Sequence, residues 1–278
     1  MHYITDQHIT EYRKHLHLKE KSPATIAKYL HAVQSFVSYL DGAEVSMEAF
    51  LSYRAHLLET LTPQTVNGYL SAIHGFFCFL GWEELRMNSL RIQRCPFLDE
   101  SRELTREEYR RLVNTAYGSG RERLALVIQT LCASGMRVSE LRFITVEAVR
   151  RGEVSISLKG KNRTILLPTA LRSLLLAYAQ KHQLHSGLVF RTKNGNPLDR
   201  SNIAHEMKSL CEEAGVDPHK VFPHNLRHLF ARCFYAIEHN IAHLADVLGH
   251  SRIETTRIYV ATPASEHRRI LDRMQLVC

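Results

Sequence analysis

The sequence predicts a mainly α protein with a small β-hairpin, divided into two domains. Three features predict it: two helical segments of matching pattern near the N-terminus, one short run of strand-like alternation after residue 150, and a basic excess confined to the C-terminal two-thirds. With 278 residues the chain can bury two cores of ordinary size.

The first 95 residues read as helices. Ser22-Pro23 and Thr62-Pro63 each set a capping hydroxyl before a proline at the first helical position, which is a strong start signal. The stretches that follow, SPATIAKYLHAVQSFVSYL (22–40) and TPQTVNGYLSAIHGFFCFL (62–80), share Pro, Thr, Tyr, Leu, Ala, Phe and Leu at an offset of 40 residues. Tyr29, Val33, Phe36 and Leu40 fall at helical spacing, as do Tyr69, Ile73, Phe76 and Leu80. Two copies are too few for a solenoid, so paired amphipathic helices in one small bundle are expected. Residues 91–104 lose the period and hold Pro96 and a charge cluster, and a linker is expected over 96–104. Thr105 and Glu108 then form a capping box that opens the next helix.

From 105 to 278 the pattern is mostly helical. In EVSISLKGKNRTILLP, Val154, Ile156 and Leu158 alternate around Gly160-Lys161-Asn162, as do Ile165 and Leu167. This predicts a hairpin with Lys159, Lys161 and Arg163 at or near its tip. Helical patterns return at 169–181 and 200–214. Ile241, Leu244, Ala245 and Leu248 make an apolar stripe closed by Gly249, and Ser251 with Glu254 reads as a capping box for a short helix carrying Tyr259.

The bulk numbers narrow the function classes. No run of 18 uncharged apolar residues occurs, so a membrane span is not expected. The N-terminus lacks the apolar stretch and cleavage site of a signal peptide. Cys78, Cys95, Cys132, Cys211, Cys233 and Cys278 show no paired spacing, which fits a reduced, cytoplasmic protein. The net charge is +8. Residues 1–95 hold 9 basic and 9 acidic residues, whereas 96–278 hold 27 and 19. A basic C-terminal region favours a polyanionic partner such as nucleic acid.

Four local patterns carry candidate chemistry. S-G-M-R-V-S-E-L (134–141) ends one helix at Gly135 and sets Arg137 at the break, with Glu140 one turn on. The hairpin offers Lys159, with Lys161 two residues away as an open alternative. H-N-L-R-H (224–228) spaces His224 and His228 by four, and His239 and His243 repeat that spacing. A zinc peptidase motif would need glutamate after the first histidine, but position 225 is Asn, and Arg227 would repel a dication. No metal is expected, and His228, His239 and His243 read as packing or surface residues. L-G-H-S-R-I-E-T-T-R-I-Y (248–259) sets His250 after a glycine cap and Tyr259 further along, with its hydroxyl expected on an exposed face.

Taken in order, these patterns resemble the signature of the tyrosine site-specific recombinases, the phage-type integrases, in their Xer-like form. The resemblance spans essentially the whole chain, and L-G-H-S-x-x-x-T-T-x-I-Y is its most specific segment. It implies a helical SAM-like core-binding domain over 1–95 and a tyrosine-recombinase catalytic domain over 105–278. By position it makes Arg137 and Arg227 the arginine pair, Lys159 the hairpin lysine, His224 and His250 the histidines, and Tyr259 the nucleophile. Glu140 is expected to orient neighbouring basic groups, and Lys161 and Arg163 are candidates for DNA contact.

The chemistry implied is metal- and ATP-independent, without a cofactor. DNA is cut and rejoined through a 3′-phosphotyrosine and a Holliday junction, on double-stranded DNA with short core-type sites. A homotetramer on two duplexes is expected, with a partner recombinase or accessory protein as a possible addition. The outcome is integration or excision, inversion, or dimer resolution. Residues 264–278, with Ile270, Leu271, Met274 and Leu276, are expected to dock on a neighbouring protomer. One departure stands out: Val260-Ala261 follow the tyrosine where many relatives have Thr-His.

Overall fold

Ser22 and Thr62 do start helices. In a computed structural model that describes residues 2–92, 100–158, 161–250, 252–257, 259, 268–269 and 273, the Ser22 hydroxyl accepts from the Thr25 amide and the Thr62 hydroxyl from the Thr65 amide. The chain divides into two units, Met1–Arg94 and Cys95–Cys278. The first holds helices α1 (Asp6–Leu18), α2 (Pro23–Leu40), α3 (Met47–Thr60) and α4 (Pro63–Leu80).

The two matching segments form α2 and α4, which pack on each other. They bury equivalent positions: Ile26 and Val66, Leu30 and Leu70, Val33 and Ile73, Phe36 and Phe76. The buried stripe lies slightly off the expected one, since Tyr29 and Tyr69 are only partly buried. Phe36 sits among Phe50, Tyr53 and Phe77, with ring centroids 5.0–5.9 Å apart. Each such ring contributes about 1.5–3 kcal/mol on burial. Asn67 closes the unit by exchanging two hydrogen bonds with the backbone of Leu90.

The second unit begins with the expected capping box. Glu108 donates its amide to the Thr105 hydroxyl, and its carboxylate accepts from the Thr105 amide. Helix α5 (Arg106–Gly118) leads to α6 (Glu122–Ser134), the most buried helix of this unit, which packs against α5 and the later helices. A 3-10 turn (Val138–Phe143) and α7 (Val146–Arg151) precede the hairpin. Strands β1 (Glu153–Leu158) and β2 (Lys161–Leu166) pair antiparallel from Glu153↔Leu166 to Leu158↔Lys161. Val154, Ile156, Ile165 and Leu167 are buried, as the alternation requires. Lys159 and Gly160 lie outside the described residues.

The remaining helices are α8 (Thr169–Lys181), α9 (Arg200–Lys208), α10 (Cys211–Ala214), α11 (Pro223–Glu238), α12 (Ile241–Leu248) and α13 (Glu254–Arg257). Two expectations need correction. The end of the expected linker is part of the fold: Glu103 and Leu104 are buried, because their charges and carbonyls have partners on α11. Tyr259 does not ride on a helix with its hydroxyl exposed. It follows the four-residue α13 in a turn, and is 2% exposed. Ser251, and Ile270, Leu271, Met274 and Leu276 of the expected docking segment, lie outside the described residues. Among the described residues no helix is long and apolar enough to cross a membrane.

Candidate active site

Two helix ends build the frame of the site. α6 stops at Gly135 (φ 62°) and α12 at Gly249 (φ 64°), both in the left-handed region that favours glycine. A Cβ on Gly135 would lie 2.4 Å from the Phe230 ring, and one on Gly249 would lie 2.6 Å from Cδ of Arg163. Both positions therefore exclude larger residues by conformation and by close approach.

Beyond Gly135, Arg137 opens the 3-10 turn. Its amide donates to Glu140 Oε2 at 2.7 Å and its Nη1 to Oε1 at 3.1 Å. Glu140 is 3% exposed, whereas the Arg137 side chain is 43% exposed. The carboxylate thus pins the arginine from below and leaves one side of the guanidinium open. Glu140 also pairs with Arg163 from β2, at 3.3 Å.

Arg163 is a correction to the sequence reading. Its side chain is 12% exposed, and it is tied to Glu140 and to the carbonyl of Leu248. It pairs with Ile156, a buried residue, and so shares the inward face of the hairpin. Burial holds its guanidinium below the usual arginine range, with Arg137 adding repulsion against the attraction of Glu140. It braces the site and does not face outward.

Arg227 comes from the first turns of α11 and is 1% exposed. Nη1 donates to the Gly135 carbonyl at 2.5 Å, and Nη2 donates to the Leu248 carbonyl at 2.7 Å and to His250 Nε2 at 2.9 Å. Its buried Nε has no hydrogen-bond partner among the described residues. Burial, then repulsion from Arg137 and Arg163, lowers this guanidinium to about 10. Since a guanidinium only donates, His250 Nε2 must accept, so the proton sits on Nδ1 and is donated to the Thr256 hydroxyl at 2.8 Å. Burial and the arginines lower His250 to about 4, consistent with that neutral ring.

The Tyr259 hydroxyl lies 3.3 Å from His224 Nε2. Burial, then His228, Arg227 and Arg137, lowers His224 to about 4, so this ring is neutral near pH 7. Three imidazoles surround the phenol: His250 stacks at 5.6 Å, His228 meets it edge-on at 4.7 Å, and His224 is at 6.0 Å between centroids. His224 keeps an exposed edge, but its ring packs against His228 and the buried Tyr259, and that enclosed side is where it loses water.

The structure therefore brings Arg137, Glu140, His224, Arg227, His250 and Tyr259 to one place. Lys159 is outside the described residues, and Lys161 opens β2 beside it in the sequence. His239 and His243 are exposed, as expected. His228 is a packing residue, but what it packs on is Tyr259. Sequence reasoning gave no role to Thr256, although it quoted the T-T pair, and it could not see the Leu248 carbonyl, which accepts from two arginines. Among the described residues no group of three or more His, Cys, Asp or Glu is placed to hold a metal ion.

Comparison with known proteins bears on the family and the fold. The phage integrase family matches residues 102–266, and the N-terminal SAM-like domain of phage integrases matches residues 9–84. Tyrosine recombinase XerA of Thermococcus kodakarensis is 27% identical over 276 residues, covering 97% of this chain and 95% of the relative. Tyrosine recombinase XerD of Rhizobium meliloti is 34% identical over 146 residues, covering 49% of this chain and 46% of the relative. Among solved structures, XerH bound to its difH substrate before cleavage is similar with a TM-score of 0.69 at 21% identity, covering 91% of this chain and 80% of that one. A lambda integrase tetramer bound to a Holliday junction has a TM-score of 0.73 at 16% identity, covering 91% and 76%. At those identities the structural likeness is one of fold.

Proposed function

The chain belongs to the phage integrase family and is a tyrosine recombinase of Xer type, an enzyme of site-specific recombination by strand cleavage and rejoining; from that premise we propose that Tyr259 is the nucleophile that cuts the DNA. The observation that carries this reading is the Tyr259 hydroxyl 3.3 Å from a neutral His224, beside a buried guanidinium with an unfilled Nε donor.

In the proposed step the Tyr259 oxygen attacks a backbone phosphorus while its proton passes to His224 Nε2. The P–O bond to the 5′-oxygen breaks, and that oxygen takes a proton from Lys159. The product is a 3′-phosphotyrosine and a free 5′-hydroxyl, so the energy of the broken ester is kept for rejoining and no nucleotide is needed. Arg137, held by Glu140, and Arg227 face the two non-bridging oxygens, where guanidiniums match the geometry and stay charged. His250 can donate to a non-bridging oxygen once the phosphate takes over its bond to Arg227 and the imidazole proton moves from Nδ1 to Nε2.

The partner is double-stranded DNA carrying short core-type sites, with residues 1–95 as the core-binding domain. Two duplexes and four protomers pass through a Holliday junction, in the cytoplasm. Structures of a DNA-bound XerH and of a lambda integrase tetramer on a Holliday junction support this part of the reading.

The test is covalent trapping. Nicked duplexes made from a genomic-fragment library are incubated with the full chain, and SDS-resistant adducts are collected and sequenced to give the site. Tyr259→Phe should form no adduct while binding the recovered site within a few-fold of the parent, because only the attacking oxygen is lost. Excess EDTA should leave adduct formation intact. An adduct formed by Tyr259→Phe would overturn the assignment.

A further inference from the structure

Three residues on one face of α11 reach back to the segment that enters the catalytic unit. Asn225 Nδ2 donates to the Arg102 carbonyl at 2.9 Å, His228 Nδ1 lies 3.2 Å from Glu103 Oε1, and Arg232 pairs with Glu103 Oε2 at 3.4 Å and donates to the Leu104 carbonyl. Their spacing of three and four is that of neighbouring turns on one helix face. The helix so stitched is the one that carries His224 and Arg227.

The middle contact leads straight to the proposed chemistry. A carboxylate oxygen accepts, so the His228 proton sits on Nδ1 and the ring orientation is fixed by Glu103. That ring meets Tyr259 edge-on at 4.7 Å and His224 edge-on at 4.9 Å. His228 therefore touches both partners of the proton transfer, while Glu103 touches neither. Both are partly or fully withdrawn from water: Glu103 is buried and the His228 side chain is 19% exposed.

We propose that Glu103 and His228 are positioning residues for strand cleavage: Glu103 fixes the His228 ring, which in turn holds the Tyr259 phenol and the His224 imidazole in the geometry for proton transfer. The pair does more than fill space. When Tyr259 gives up its proton, His224 becomes cationic in a site already crowded with arginines. A carboxylate one ring away offsets that charge, as the third group does in a nucleophile–base–acid arrangement. The segment 102–104 thereby becomes part of the catalytic apparatus and not merely the tail of a linker. The inference rests on Tyr259 acting as nucleophile and His224 as its base.

The experiment has one arm without DNA and one with it. In the free full-length protein, ¹⁵N-histidine spectra should show His228 with its proton on Nδ1, the resonance being identified by its loss in His228→Phe. Glu103→Gln should alter that signature. In the second arm, single-turnover adduct formation is measured at saturating nicked duplex bearing the site recovered by trapping. Glu103→Gln and His228→Phe should each slow the covalent step tenfold or more with DNA affinity within about threefold. The double variant should be no slower than the slower single one, because both act through one contact.

Multiplicative losses in the double variant would overturn the proposal. So would weakened DNA binding with an unchanged covalent step. His228→Phe keeps an aromatic ring against Tyr259 and carries the same test if Glu103→Gln does not fold. If Tyr259→Phe still forms an adduct, the nucleophile reading fails. If it does not, and Glu103→Gln cleaves at the parent rate, only the positioning role fails.

Discussion

Replacing Arg227 with methionine should nearly abolish cleavage while changing stability little. Burial and two neighbouring arginines lower this guanidinium from the usual 12.5 to about 10. A drop of that size corresponds to a penalty of about 3 kcal/mol on the charged form, which methionine removes. Against it stand the lost hydrogen bonds. The Leu248 carbonyl keeps Arg163 as donor, but the buried Gly135 carbonyl loses its donor, at about 1–3 kcal/mol, and the part-buried His250 Nε2 loses its own at the low end of that range. The two effects oppose each other, and the net change should stay within about 2 kcal/mol. Breaking one side of a buried ion pair costs about 3–5 kcal/mol by comparison. Cleavage should fall by at least about 10²–10³-fold, the usual loss for a removed charge-stabilising donor. Urea unfolding should be followed by far-UV circular dichroism, because the one tryptophan, Trp82, belongs to the other unit. Adduct formation is read on denaturing gels. A stability loss above about 4 kcal/mol would show that Arg227 is a structural keystone and that its positive environment carries no penalty. Cleavage within tenfold of the parent would remove it from the reaction.

Further outcomes are expected at the hairpin lysine and at the two histidines. If Lys159 protonates the leaving oxygen, Lys159→Ala should slow cleavage by about 10²–10⁴-fold, and a bridging 5′-phosphorothiolate, which departs without a proton, should erase most of that loss. Arg137→Ala should stay slow on the same substrate, and sulfur rescue of Lys161→Ala in place of Lys159→Ala would move the general acid along the hairpin. His224 and His250 both lie near about 4 in the folded protein, against about 6.5 unfolded. Between those values the unfolded chain binds more protons, so stability held above pH 6.5 should be lost as pH falls toward 4. The second-order rate of adduct formation, which reports groups of the free protein, should stay level down to about pH 5. An inflection near 6.5 that disappears in His224→Gln would contradict a base already held neutral.

Much of this molecule was legible because local signals agreed with the packing. The serine–proline and threonine–proline starts, the Thr105–Glu108 box, the hairpin alternation and both helix-ending glycines are short-range chemistry, and each appears where the pattern puts it. What failed depends on contacts between distant residues. Arg163 reads as a surface cation because a strand near a hairpin tip is normally solvated; only the approach of Leu248 and Glu140 shows that it turns inward. Glu103 reads as linker because charge clusters usually are, and its partners lie 125 and 129 positions further on, at His228 and Arg232. Tyr259 looked exposed because a tyrosine among Thr, Arg and Glu suggests a polar helix, but Ala231, Leu244 and Leu248 enclose it.

The perturbed groups of the site share two causes, burial and an excess of positive charge. Arg137 and Arg163 share Glu140 as their paired carboxylate, while Arg227 is held by the Gly135 and Leu248 carbonyls and His250, which leaves positive charge in excess before any substrate arrives. Burial first, and that excess second, lowers Arg227 and keeps His224 and His250 neutral. A phosphodiester brings one negative charge, and the pentacoordinate state that follows attack carries one more, so the field that is unfavourable in the free protein is the one the reaction relieves. The same field has a second effect. In the proposed step a neutral His224 accepts the Tyr259 proton, and the phenolate that results is the anion most favoured beside Arg227. On the proposed mechanism, charge stabilisation and nucleophile activation are thus two effects of one arrangement, in which the arginines are fixed by backbone carbonyls and by Glu140 before the DNA is bound.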